Sequence, residues 1–156
     1  MFLVVAGGVL GRAGAADLIW QTDLPQALIQ AKAEKKLVLM DFTGSDWCPP
    51  CQMLAKKVLD QPEFAAYAKT NLVLVQVDFP RLKPQADAVK AASAALAGAF
   101  KVEGFPTLIA LNPNSTTVWR TDGVTMGFLE GGPQGLITQL EAAGKVPAAS
   151  AGEAGK

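Results

Sequence analysis

Apolar positions in this chain recur with two periods, and the switches between them mark its elements. Leu24, Ala27, Leu28 and Ala31 keep helical spacing across residues 24–36. Thr22 or Asp23 can cap that helix, and Pro25 suits its first turn. Residues 37–40 are an unbroken apolar run that ends at Asp41, the pattern of a strand buried on both faces. A loop over 43–47 follows. Pro49-Pro50 opens a second helix along Met53, Leu54 and Val58, with a bend at Gln61-Pro62 and a short helix over 62–69. Residues 72–77 are rich in branched side chains and read as the next strand. A loop with two prolines spans 78–84, and the alanine-rich stretch 86–100 reads as helix. Gly104-Phe105-Pro106 turns into a strand over 107–111. The turn 112–115 then joins it to a strand over 116–120, as an antiparallel hairpin. Gly131-Gly132-Pro133 starts a last helix with Leu136, Ile137 and Leu140 on one face.

With residues 18–20 counted as a first short strand, the order is βαβαβαββα. Alternating strands and helices predict an α/β fold: a mixed, mostly parallel central sheet with the hairpin as an antiparallel edge. Right-handed crossovers place helices on both faces.

The two ends depart from this pattern. Residues 1–16 run from an apolar stretch into small residues, and Ala13-Gly14-Ala15 fits a signal-peptidase site. No Lys or Arg precedes the apolar run, so a truncated signal peptide is the expectation. A buried strand over 2–5 is the alternative. Residues 146–156 are small and polar and read as a disordered tail. The folded domain is therefore expected over 17–145, without internal repeats.

Composition narrows the chemistry. Half of the 156 residues are hydrophobic and 18% are charged, so the chain can build a core without staples. Fourteen basic and fourteen acidic residues cancel, which gives no electrostatic case for nucleic-acid binding. There is no histidine, which excludes Ser-His-Asp and Cys-His catalysis and any His-containing zinc site. No apolar run is long enough for a transmembrane helix.

The distinctive chemistry left is two cysteines in Trp47-Cys48-Pro49-Pro50-Cys51, between a buried strand and a helix start. A helix N-terminus stabilises a thiolate, which lowers a cysteine pKa from about 8.5 toward about 7 or below. Cys48 is the expected attacking thiolate. Cys51, about one turn later, is placed to close a disulfide and release a mixed-disulfide partner. The prolines cost little in a first turn, whose N–H groups have no helical partner. A static disulfide is disfavoured because so short a loop stabilises little. Two thiolates could also hold Cu(I), which keeps a metal relay as the alternative function.

Three pieces resemble the thioredoxin superfamily. Residues 38–42 lead into the Trp-Cys-Pro-Pro-Cys motif, Gly104-Phe105-Pro106-Thr107-Leu108 looks like the family's cis-proline turn, and Gly127-Phe128 precedes the last helix. Residues 41–48, with 77–80 and 131–133, are similar to a bacterial branch of exported thioredoxin-like disulfide reductases. The resemblance implies a thioredoxin fold and a cis peptide before Pro106, lying against the cysteine pair. Phe105 would offer its backbone to an extended substrate, and Trp47 would shield the disulfide. Asp41 becomes either a proton acceptor for Cys51 or a carboxylate closing the strand end. It stands one residue further from the first cysteine than the family's buried acid, and Leu74 occupies the place of the lysine that often accompanies that acid. Asp46 reads as a solvated loop residue, and 79–84 as a plain loop rather than a partner surface. The implied activity is protein-disulfide oxidoreduction in the reducing direction, in the periplasm or outside the cell. No cofactor is implied beyond the Cys48–Cys51 disulfide. The implied partners are protein disulfides and a membrane thiol electron donor, with the chain a monomer.

Overall fold

The computed structural model describes residues 18–145. The expectations for residues 1–16 and 146–156 lie outside the described residues. In chain order the elements are β1 (Trp20–Gln21), α1 (Leu24–Glu34), β2 (Leu37–Thr43), α2 (Pro49–Leu54, continued by a π turn over Ala55–Leu59), α3 (Pro62–Asn71), β3 (Leu72–Asp78), α4 (Asp87–Ala99), β4 (Thr107–Leu111), β5 (Thr117–Asp122), α5 (Met126–Glu130) and α6 (Gly132–Gly144).

Local signals explain several boundaries. The Asp23 carboxylate accepts the Gln26 N–H at 2.9 Å and caps α1, while Lys35 ends it in the left-handed region. Pro62 opens α3 after the wider turn of 55–59 has closed on the Asp60 N–H to Ala55 O bond at 2.8 Å.

The five strands lie in the order β1-β3-β2-β4-β5. β1, β3 and β2 pair in parallel; β4 is antiparallel to both β2 and β5. β4 is the reversed strand, and its hairpin with β5 forms the expected antiparallel edge of the sheet. Sequence adjacency revealed the hairpin, but the neighbour on the other side of β4 is a tertiary choice. The first strand lies at Trp20–Gln21 rather than 18–20, with Ile19 exposed.

The path from β1 through α1 passes over β3 to β2, and the path through α2 and α3 returns to β3. Right-handed crossovers running in opposite directions leave their helices on opposite faces. The pleat sorts the core accordingly. Val38, Met40 and Phe42 pack with Leu24, Ala27 and Ala31 of α1 and with Leu96 and Phe100 beside them. Leu39 packs on the other face with Leu54, Val58, Phe64, Leu136 and Leu140. Each fully buried side chain of this size contributes roughly 1.5–3 kcal/mol of hydrophobic stabilisation.

The register fixes where the chemistry sits. Thr43 pairs with Asp78, and Phe42 with Thr107. The segments after β2, after β3 and before β4 therefore leave one end of the sheet together.

Candidate functional site

β2 runs past the expected end at residue 40 and carries Asp41, Phe42 and Thr43 into the buried sheet. The chain then turns at Gly44, whose carbonyl accepts the N–H of Trp47 at 3.2 Å and of Cys48 at 2.9 Å. Only glycine fits there, because a Cβ would stand 2.5 Å from Trp47 Cε2. Cys48 is the N-cap of α2, with Pro49 and Pro50 following it in the first turn. Cys48 and Cys51 form a disulfide with Cα atoms 5.3 Å apart. Both are nearly enclosed, at 4% and 3% exposure, while Pro49 and Pro50 between them are exposed.

The turn before β4 lies beside this loop, with Phe105 against Trp47. The Phe105–Pro106 peptide is cis. The Pro106 carbonyl accepts the Gly123 N–H at 2.7 Å, and Thr107 Oγ1 donates to Gly104 O at 2.8 Å. Gly123 has φ +77, a left-handed conformation that favours glycine. Arg120 donates to the carbonyls of Phe100 and Lys101 and pairs with Asp122. The turn is thus held from behind by β5.

The segment after β3 also lies beside this loop, and Trp47 joins the two. The Trp47 indole N–H donates to Phe79 O at 2.7 Å. Its ring meets Phe105 edge-on at 6.2 Å between centroids, and Phe105 stacks on Phe79 at 4.9 Å. The Arg81 guanidinium carbon lies 3.5 Å from the Trp47 ring centroid, a cation–π arrangement. Asp46 accepts the backbone N–H groups of Arg81, Leu82 and Lys83 at 2.8–2.9 Å. Burial pushes its pKa up, but those three donors and the Lys83 charge outweigh that and leave it below the usual value. Ser45 donates its N–H and hydroxyl to Asp78, which also pairs with Lys83 at 3.2 Å.

Asp41 lies beneath this assembly. The pleat puts it on the Leu39 side of the sheet, the face covered by α2, α3 and α6. It is buried, and its Oδ1 has no hydrogen-bond partner among the described residues. Its pKa is pushed up to about 7, first by burial and then by the negative charge of Asp78. Asp41 pairs in register with Gln76, and Leu39 with Leu74, so β3 brings no lysine to the acid there.

The thioredoxin-like family's sequence model matches residues 19–113. The chain is 32% identical over 132 residues to the disulfide bond reductase DsbH of Chlamydia pneumoniae, covering 85% of this chain and 76% of that protein. The chain belongs to the thioredoxin-like family. The thioredoxin-related protein DsbJ of the same organism is 31% identical over 104 residues, which cover 67% of this chain and 30% of DsbJ. A solved DsbH oxidoreductase superposes with a TM-score of 0.74 at 29% identity, covering 86% of this chain and 89% of that one. A closed Cys48–Cys51 pair on the thioredoxin fold makes this chain a thiol–disulfide oxidoreductase.

Of the residues that the sequence singled out, Trp47 and Phe105 touch, Cys48 and Cys51 are bonded, and Pro106 follows a cis peptide after Phe105. Asp46 is not a freely solvated loop residue, as the sequence suggested, but the clamp between two segments of the thioredoxin-like site. Sequence reasoning missed Gly44, Asp78, Phe79 and Arg81. The available signal was the pair of prolines that stiffens 80–84, which says that a loop is shaped but not against what. Among the described residues no three Cys, Asp or Glu side chains gather to hold a metal ion.

Proposed function

We propose that this protein reduces disulfide bonds of client proteins in an exported compartment, with Cys48 as the attacking thiolate. The reading is carried by the Cys48–Cys51 pair at the start of α2, with the Phe105–Pro106 turn alongside. In the reduced protein, the Cys48 thiolate attacks one sulfur of a client disulfide. A mixed disulfide forms, and the client's other sulfur leaves as a thiolate that takes a proton. Cys51 then loses its proton, Asp41 being the acceptor, and attacks Cys48 Sγ. The Cys48–Cys51 bond closes and the second client thiol departs. Two electrons have passed to the client. A dithiol donor at the membrane restores the pair by the same exchange. Phe105 offers its backbone groups to an extended client segment, and Trp47 screens the disulfide.

The direction follows from the amides at the helix start. Pro49 and Pro50 have no N–H. The Cys48 N–H is bonded to Gly44 O, and the Gln52 N–H to Cys48 O. The Cys51 amide is then the backbone donor left in that turn for a Cys48 thiolate. A thiolate with few donors is stabilised little, which favours the disulfide and makes the dithiol a good reductant. The names of the relatives agree with that direction. The apolar-then-small pattern of residues 1–16 supports export. The chain works as a monomer, without nucleic acid and without a cofactor beyond its own disulfide.

Two measurements test this. Cys51→Ser should trap clients as mixed disulfides through Cys48 in an exported fraction; a folded variant that traps none overturns the reading. The reduction potential of the pair should lie near the thioredoxin value of about −270 mV; a value near about −120 mV would reverse the direction.

A further inference from the structure

The segment after β3 is a preformed surface beside the cysteine loop, and one of its cations has no ion-pair partner among the described residues. Asp46 fixes the backbone of residues 81–83 through its three N–H bonds. The carboxylates close by are occupied: Asp46 by those amides, and Asp78 by Ser45 and Lys83. Arg81 is exposed, and among the described residues no carboxylate pairs with its guanidinium. That guanidinium lies on the ring of Trp47, the residue next to Cys48. Leu82, next along, is 81% exposed. The site therefore presents a positive group on the neighbour of the attacking residue, with an exposed apolar side chain next along the segment. The guanidinium and the backbone of 81–83 are held in place before any partner arrives, so little ordering entropy is lost there on contact.

We infer that Arg81 is a specificity-determining residue that selects client disulfides flanked by carboxylate side chains. This rests on the reading of Cys48 as the attacking thiolate. An extended client segment that brings its disulfide to Cys48 along Phe105 must pass Trp47. A client Asp or Glu beside its cysteine then meets the guanidinium, while a Lys there is repelled. A charge at the rim of an interface acts mainly on encounter rate and on salt dependence.

The test uses two peptides with the same intramolecular disulfide, flanked by Glu in one and by Lys in the other, under the reduced full-length chain. The ratio of their kcat/KM values is taken within each variant, so a general loss of rate cancels. The chain should favour the Glu peptide by about fivefold at low salt, and the preference should fall toward unity near 1 M salt. Arg81→Met keeps an apolar cover on the indole and should bring the ratio close to one; Arg81→Glu should invert it. Equal rates for both peptides, or a preference that survives Arg81→Glu, overturns the selection while leaving the reductase reading in place. Failure to reduce either peptide overturns both.

Discussion

Asp41 and Asp46 stand five residues apart on either side of one turn, yet their surroundings give them opposite chemistry. Asp41 ends up inside the sheet, facing the α2 side, with an oxygen that no described residue satisfies and with Asp78 as a negative neighbour. Its proton is held to about pH 7. Asp46 lies beyond Gly44 at the surface, where three backbone amides and Lys83 favour its ionised form. The first environment makes an acid that can take and return a proton near neutrality. The second makes a permanent anion that serves as a mechanical tie. Residue type sets neither role; burial and donors do.

The largest effect expected from breaking this contrast is at Asp41. A carboxyl whose pKa is about 7 in the folded state and 3.8 as a free group binds more protons folded than unfolded between those values. Stability then falls as pH rises through that window, and the full penalty is present above it. At about 1.4 kcal/mol per unit the penalty is on the order of 4 kcal/mol. Asp41→Asn should therefore be more stable than the parent at pH 8, with little advantage near pH 4. Urea unfolding at the two pH values checks this; parallel curves for both proteins would show that Asp41 is not the titrating group. On the proposal that Asp41 takes the Cys51 proton, the same variant should slow release of a mixed disulfide at neutral pH.

This contrast also shows which parts of the molecule are legible in the sequence. The order of strand, Trp-Cys-Pro-Pro-Cys and helix is written locally, in a run of branched residues followed by prolines that only a first turn tolerates. The Phe105-Pro106 turn is likewise visible as a motif. The end of β2 is not, because Asp41 interrupts the apolar pattern while the sheet on both sides keeps its backbone paired. Helix α5 is five residues long and flanked by glycine, too short for periodicity to reveal, although Thr125 caps it by accepting the Phe128 N–H at 3.1 Å. The Asp46 clamp joins residues 35–37 positions apart, and no local pattern encodes such a contact.

The tie at Asp46 gives an intermediate effect. Asp46→Ala removes the acceptor for the amides of residues 81–83 and leaves them to water. Global stability should fall only modestly, because these amides are near the surface. The local consequence is larger. Amide exchange at 81–83 should speed up relative to the β3 core, and trypsin should cut after Arg81 sooner than in the parent. Unchanged protection at those three amides would show that the segment keeps its shape without Asp46.

The smallest effect on stability, and the sharpest probe of how the two acids share one field, is at Lys83. Its ammonium is more than half exposed where it meets Asp78 at 3.2 Å, and pairs of this kind contribute under about 1 kcal/mol. Lys83→Met should thus leave the unfolding midpoint almost unmoved. It does remove the positive charge that partly offsets Asp78, and Asp78 is the neighbour whose charge already raises Asp41. The Asp41 midpoint should therefore move upward in Lys83→Met, which carboxyl NMR titration reads directly. The neutral-pH release of mixed disulfides should shift to higher pH with it. A midpoint that stays in place would mean that Asp78 acts on Asp41 independently of its own counter-ion. Lys83 and the strand end at Asp41 would then be electrostatically separate, and burial together with the Asp78 charge would set the proton affinity of the buried acid.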